Sequence, residues 1–115
     1  MKFSEAVTQH QEVRVLLSRY IIREAATSMG LFTVGRDMSC PLGEWLYKHR
    51  TNATPEFQRL VLVHQSFHSI AYDVLKLAMN RREDEAMGLL NGPYAAIEKE
   101  LIEAILTLSE HKEFE

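Results

Sequence analysis

The chain has 115 residues, a formal net charge of −3, 46% hydrophobic and 25% charged residues, and one cysteine. That length points to a single domain over residues 1–115, with a modest core and no room for a sheet covered on both faces plus a catalytic lobe. The acidic balance lacks the clustered basic surface that nucleic acid requires. No stretch approaches the ~20 apolar residues of a membrane span. The opening Met1-Lys2-Phe3-Ser4-Glu5-Ala6 is charged and polar at helical spacing, unlike a signal peptide, so the cytoplasm is the expected location. Cys40 cannot close an internal disulfide and is a core thiol, a reactive thiol or a ligand.

From Phe3 to about Met29 the pattern is helical, with Phe3, Ala6, Val7, Val13, Leu17, Tyr20, Ile21 and Glu24 on or near one face and His10 in its middle. Met29-Gly30 is a C-terminal signal, and Leu31 to Ser39 reads as a connecting loop that packs Leu31, Phe32 and Val34. Pro41 suits the first position of a helix, where its missing N–H is no loss. Cys40 is then the N-cap of a short helix reaching about His49. Thr54-Pro55 repeats the cap-then-proline signature and opens a long helix to about Asn80, with Phe57, Leu60, Val61, Ala71, Val74, Leu75 and Ala78 on one stripe. Asn80-Arg81-Arg82 marks a turn. A last helical pattern runs from about Glu83 to Glu113, with Ala96, Ile97, Leu101, Ala104, Ile105 and Leu108 on its apolar face. Asn91-Gly92-Pro93 interrupts it, and a kink or break is expected there. No stretch has the strand period. The expected fold is all-α: a small antiparallel four-helix bundle with an additional short helix that carries the cysteine.

His64 and His68 lie one helical turn apart and continue the apolar stripe of the long helix, with Phe67 beside them. With His10, three imidazoles are expected to face the interior, and each needs a partner, because an unsatisfied buried polar group costs about 1–3 kcal/mol. His10, Cys40, His64 and His68 offer the ligand types and number of a tetrahedral zinc site. The positive end of the short helix would favour a Cys40 thiolate. Hydrogen-bonded core histidines and a small buried thiol are the competing reading, and the residues alone leave both open.

The order His10, then Cys40-Pro41-Leu42-Gly43-Glu44-Trp45, then His64-Gln65-Ser66-Phe67-His68 resembles the chemoreceptor zinc-binding (CZB) domain family, whose pattern is a histidine, Cys-x-Leu-Gly-x-Trp and His-x-x-x-His. One departure is Val13, where the family usually has leucine or a large aromatic. The resemblance implies zinc held by His10, Cys40, His64 and His68, with Gly43 allowing close approach of the short helix and Trp45 packing into the bundle. His49 and His111 have no counterpart in that set and read as exposed. It further implies a homodimer and a signalling partner, chemoreceptor or cyclase, acted on in trans or fused in a longer chain.

The expected function is a zinc-binding sensory or regulatory module of bacterial signalling, responding to zinc and to oxidation of the zinc-bound cysteine. The alternative is a zinc-stapled dimerisation or adaptor domain. A hydrolase is disfavoured, because Gln65 occupies the general-base position of His-Glu-x-x-His and four protein ligands leave no open coordination position. A di-iron bundle would need more carboxylates than these faces offer.

Overall fold

A computed structural model describes residues 2–22, 40–52 and 54–110. Its elements are α1 (Phe3–Ile21), α2 (Pro41–Lys48), α3 (Pro55–Met79), α4 (Glu83–Leu89), a π-turn (Leu90–Tyr94) and α5 (Ala95–Ser109). Among the described residues there is no strand. The expected ending of the first helix at Met29-Gly30, the loop from Leu31 to Ser39 with its packing residues, the place of Glu24, and the chain from His111 onward lie outside the described residues.

The two expected caps are present. Cys40 is extended, its Sγ accepts the Gly43 N–H at 3.3 Å, and Pro41 follows at the first helical position. Thr54 Oγ1 accepts the Phe57 N–H at 3.4 Å, and Asn52 Oδ1 in turn accepts from the Thr54 hydroxyl at 2.6 Å. Each cap satisfies one of the N–H groups that a first helical turn leaves without an intrahelical partner. At the other end of α3, the Arg82 N–H bonds Leu77 C=O at 2.9 Å and the Arg81 N–H bonds Ala78 C=O at 3.2 Å. This is a Schellman closure, and the residue at its left-handed position is Arg81, with φ 62°, instead of the usual glycine.

At Asn91-Gly92-Pro93, where a kink or break is expected, the chain does not break but forms a π-turn, and the backbone passes from α4 to α5 without interruption. In an uninterrupted α-helix Pro93 would lack its hydrogen bond and press its ring against the carbonyl of Leu89. The wider turn, with bonds reaching one residue further, removes that conflict. Asn91, Gly92 and Pro93 are left exposed, while Leu90 and Tyr94 on either side are buried.

The core forms where these helices meet. α3 lies against α1, α4, the π-turn and α5, and α1 also meets α4 and α5. Ala6, Leu17 and Ile21 of α1 join Phe57, Leu60, Val63, Phe67, Ala71, Val74, Leu75 and Ala78 of α3 and Leu101, Ala104, Ile105 and Leu108 of α5. Burial of each large side chain contributes about 1.5–3 kcal/mol. Leu42 and Leu46 bring α2 into the same cluster, and the Trp45 ring packs at 5.4 Å on Phe3 and 6.2 Å on Phe57. Ala96, expected on the inner face of α5, is exposed, and the inward positions before Leu101 are Ala86, Leu90 and Tyr94 with half-buried Ile97. The π-turn breaks the uniform helical phase on which the Ala96 expectation rests.

Candidate metal centre

Three elements converge on one point. α1 supplies His10, the cap of α2 supplies Cys40, and α3 supplies His64 and His68. The helix period sets two of these positions, because a four-residue spacing stacks His64 and His68 on the buried face of α3. The three rings are 1–3% exposed and Cys40 is half-buried. One ligand atom from each residue can be chosen so that all lie within 4.8 Å of one another.

The individual distances can be tested against a tetrahedron. Metal–nitrogen bonds of about 2.0 Å and a metal–sulfur bond of about 2.3 Å place nitrogens about 3.3 Å apart and sulfur about 3.5 Å from each nitrogen. The observed edges are His64 Nε2 to His68 Nε2 at 3.1 Å, Cys40 Sγ to His64 Nε2 at 3.1 Å and Cys40 Sγ to His10 Nε2 at 3.8 Å. These three of the six edges lie within about 0.4 Å of the tetrahedral value, and all six are within 4.8 Å. The residues therefore suit a metal ion in donor type, number and proximity.

Two backbone groups orient these donors. His10 Nδ1 lies 2.7 Å from the carbonyl oxygen of Ala6, one turn back on α1, to which it donates. That bond places the ring proton on Nδ1 and leaves Nε2 free to face the centre, the role such outer partners have in metal sites. The Gly43 N–H holds the sulfur, so Cys40 is helix cap and candidate ligand at once.

Burial also sets the protonation state. Desolvation pushes the pKa of His10 down to about 4, with the His68 charge adding to the effect and the Ala6 carbonyl opposing it. The pKa of His64 falls to about 2, again mainly through burial and then through repulsion from His68 and His10. Both rings are consequently neutral near pH 7, which is the form that ligates.

The packing around the donors is aromatic. Phe67 stands edge-on to His10 at 5.2 Å and to His68 at 5.3 Å, and its ring also meets Tyr94 at 5.2 Å. On the other side, Gly43, Leu46, Tyr47, Arg50, Val61, His64 and Gln65 line a pocket of about 140 Å³ between α2 and α3. Neither Tyr94 nor the backbone contacts of Ala6 and Gly43 were legible from side-chain types. A carbonyl carries no sequence signal, although Gly43 is a marked position of the Cys-x-Leu-Gly-x-Trp pattern. His49 is exposed, as expected; its ring lies 4.4 Å from that of Trp45 at a tilt of 40°, and it is not one of the four grouped donors. His111 lies outside the described residues.

Comparison with family models, with characterised proteins and with solved structures finds no match to this chain. No helix of the described residues is long and apolar enough to cross a membrane.

Proposed function

We propose that the chain is a zinc-binding regulatory module of bacterial signalling, with His10, Cys40, His64 and His68 as the ligands of one ion. The observation that carries this reading is the convergence of three imidazoles and a thiol from three separate segments, with ligand atoms within 4.8 Å of one another and three of their separations at 3.1–3.8 Å. Mixed nitrogen and thiolate ligands at these spacings suit zinc better than the oxygen-seeking cations. The Cys-x-Leu-Gly-x-Trp and His-x-x-x-His patterns support membership of the chemoreceptor zinc-binding domain family. In that reading the helices form an antiparallel four-helix bundle, two copies pair, the protein is cytoplasmic, and a chemoreceptor or cyclase receives the output in trans or in a longer chain.

The physics of regulation follows from the ligand sources. An ion that joins α1, the start of α2 and α3 adds its binding free energy only to the conformation that brings those segments together. Gaining or losing it shifts the balance between that conformation and others. Oxidation of Cys40 to the sulfenic or sulfinic acid removes the softest ligand and weakens the site. A saturated four-ligand site has no position for a substrate water, and Gln65 cannot act as a base, so the role is regulatory and not catalytic.

The test is elemental analysis of untagged protein before and after brief treatment with hypochlorous acid. About one zinc per chain, lost in step with oxidation of Cys40, is the expected result. Zinc that survives oxidation would convert the reading to a structural staple for a docking or dimerisation domain. Protein that carries no zinc, and takes up none when it is offered, would overturn the centre itself.

A further inference from the structure

Tyr94 closes the π-turn, is fully buried, and its hydroxyl has no hydrogen-bond partner among the described residues. Burying a hydroxyl unpaired is unfavourable, so the ring must be held in place by its packing. One residue that touches it is Phe67, which also stands against two candidate ligands, His10 and His68. The Glu98 carboxylate of α5 and the Arg14 guanidinium of α1 both act on it electrostatically. Glu98, one turn further on, has a buried Oε2 that is likewise without a partner. The π-turn is tied to the ligand-bearing α1 by a second route. Arg14 of α1 donates to Asn91 Oδ1 at 3.4 Å and pairs with Glu98 at 3.7 Å.

We propose that Tyr94 is a positioning residue that couples ligation at the metal centre to the π-turn, with Phe67 as the wedge between them. This rests on the zinc reading of the centre. Ligation fixes the rings of His10 and His68, which confines Phe67, and the confined Phe67 keeps the Tyr94 ring seated despite its unpaired hydroxyl. When the ion leaves, the two imidazoles regain rotamer freedom and Phe67 loosens. Tyr94 then moves its hydroxyl toward water, and the exposed residues Asn91-Gly92-Pro93 move with it. The unpaired hydroxyl supplies the bias toward release, so the π-turn is the segment through which occupancy is read outside the core. Coupling of this kind is reciprocal: whatever eases the burial of residue 94 must also tighten the ion.

The chain has four tyrosines, Tyr20, Tyr47, Tyr72 and Tyr94, so fluorine NMR of 3-fluorotyrosine-labelled protein gives a resolvable set. The Tyr94 signal is assigned by its loss in Tyr94→Phe. With one equivalent of zinc it should show no solvent isotope shift between H2O and D2O. After chelation, with helical circular dichroism unchanged, it should acquire one, while half-exposed Tyr72 shows it in both states. In zinc-loaded Phe67→Leu the Tyr94 shift should appear although the zinc stays, and this comparison decides the matter should chelation unfold the helices. By reciprocity, Tyr94→Phe should bind zinc several-fold more tightly in a chelator competition. Protein that binds zinc yet shields Tyr94 equally in the loaded, chelated and Phe67→Leu forms would overturn the coupling and leave the centre standing. A chain that retains no zinc would overturn both.

Discussion

Replacing His10 with alanine isolates the one candidate ligand on α1. His64, His68 and Cys40 remain, so the variant keeps a three-ligand half-site drawn from α3 and the cap of α2. Structural zinc sites contribute about 10–16 kcal/mol in total, or about 3–4 kcal/mol for each of four ligands. At about 1.4 kcal/mol per factor of ten, His10→Ala should weaken zinc by roughly two to three orders of magnitude. Losing the ring also empties a fully packed position, since His10 is 2% exposed and Phe67 rests on it at 5.2 Å. Zinc-free stability is therefore measured alongside affinity, so that a folding defect is not mistaken for a ligand defect. The assay is competition with a chromophoric chelator, with His49→Ala as the control that keeps wild-type affinity. An affinity for His10→Ala within about threefold of wild type, less than 0.7 kcal/mol, would show that the imidazole on α1 is packed at the centre without ligating there.

Two further predictions concern the metal-free chain and the end of α3. Burial lowers the His10 pKa from 6.5 to about 4, so the unfolded chain binds a proton that the folded chain refuses across that interval. Metal-free stability should therefore be fully present above pH 6.5 and fall as pH drops toward 4, by roughly 3 kcal/mol from this residue, with His64 extending the loss lower still. Urea midpoints that stay flat across that range would contradict it. At the left-handed position after α3, Arg81→Gly removes the conformational penalty of a side chain at φ 62°. That penalty is about 1–2 kcal/mol, partly offset by the greater freedom of glycine in the unfolded chain. A net gain of up to about 1 kcal/mol in thermal or denaturant unfolding is expected, and an unchanged or lower midpoint would show that Arg81 makes compensating contacts.

The helices and the shared face of the paired histidines were legible because both are written in local spacing, whereas the four-residue donor set was an expectation of the family resemblance. Thr54-Pro55 and Cys40-Pro41 mark helix starts through chemistry that acts within one turn, and His64 and His68 share a face because of the α-helical period. His10 was legible as an inward residue from its place on the apolar face of α1, whereas its nearness to Cys40 is a tertiary fact that no local rule contains. The π-turn was not legible. Pro93 announces a conflict inside a helix, but whether the backbone breaks, kinks or widens depends on how firmly both flanks are packed. Here Ala86 and Leu90 before Pro93, and Leu101 and Ile105 after it, are all in the core. A break would have unseated one side, and that packing is also why Tyr94 is inward and Ala96 is not.

The ligand spacing has one more consequence, for the lengths of chain that separate the four residues. An ion held by all four residues would close the chain from residue 10 to residue 40 and from residue 40 to residue 64 into two loops, as a pair of disulfides would. The entropy of closing a flexible loop grows only with the logarithm of its length, so doubling one adds about 0.6 kcal/mol, less than a threefold change in affinity. Between His64 and His68 the tolerance is nil, because adding or removing a single residue rotates one ring about 100° around α3 and off the shared face. Relatives of this chain should therefore vary freely in the length of the segment between Ile22 and Cys40 and keep the three-residue interval on α3 without exception.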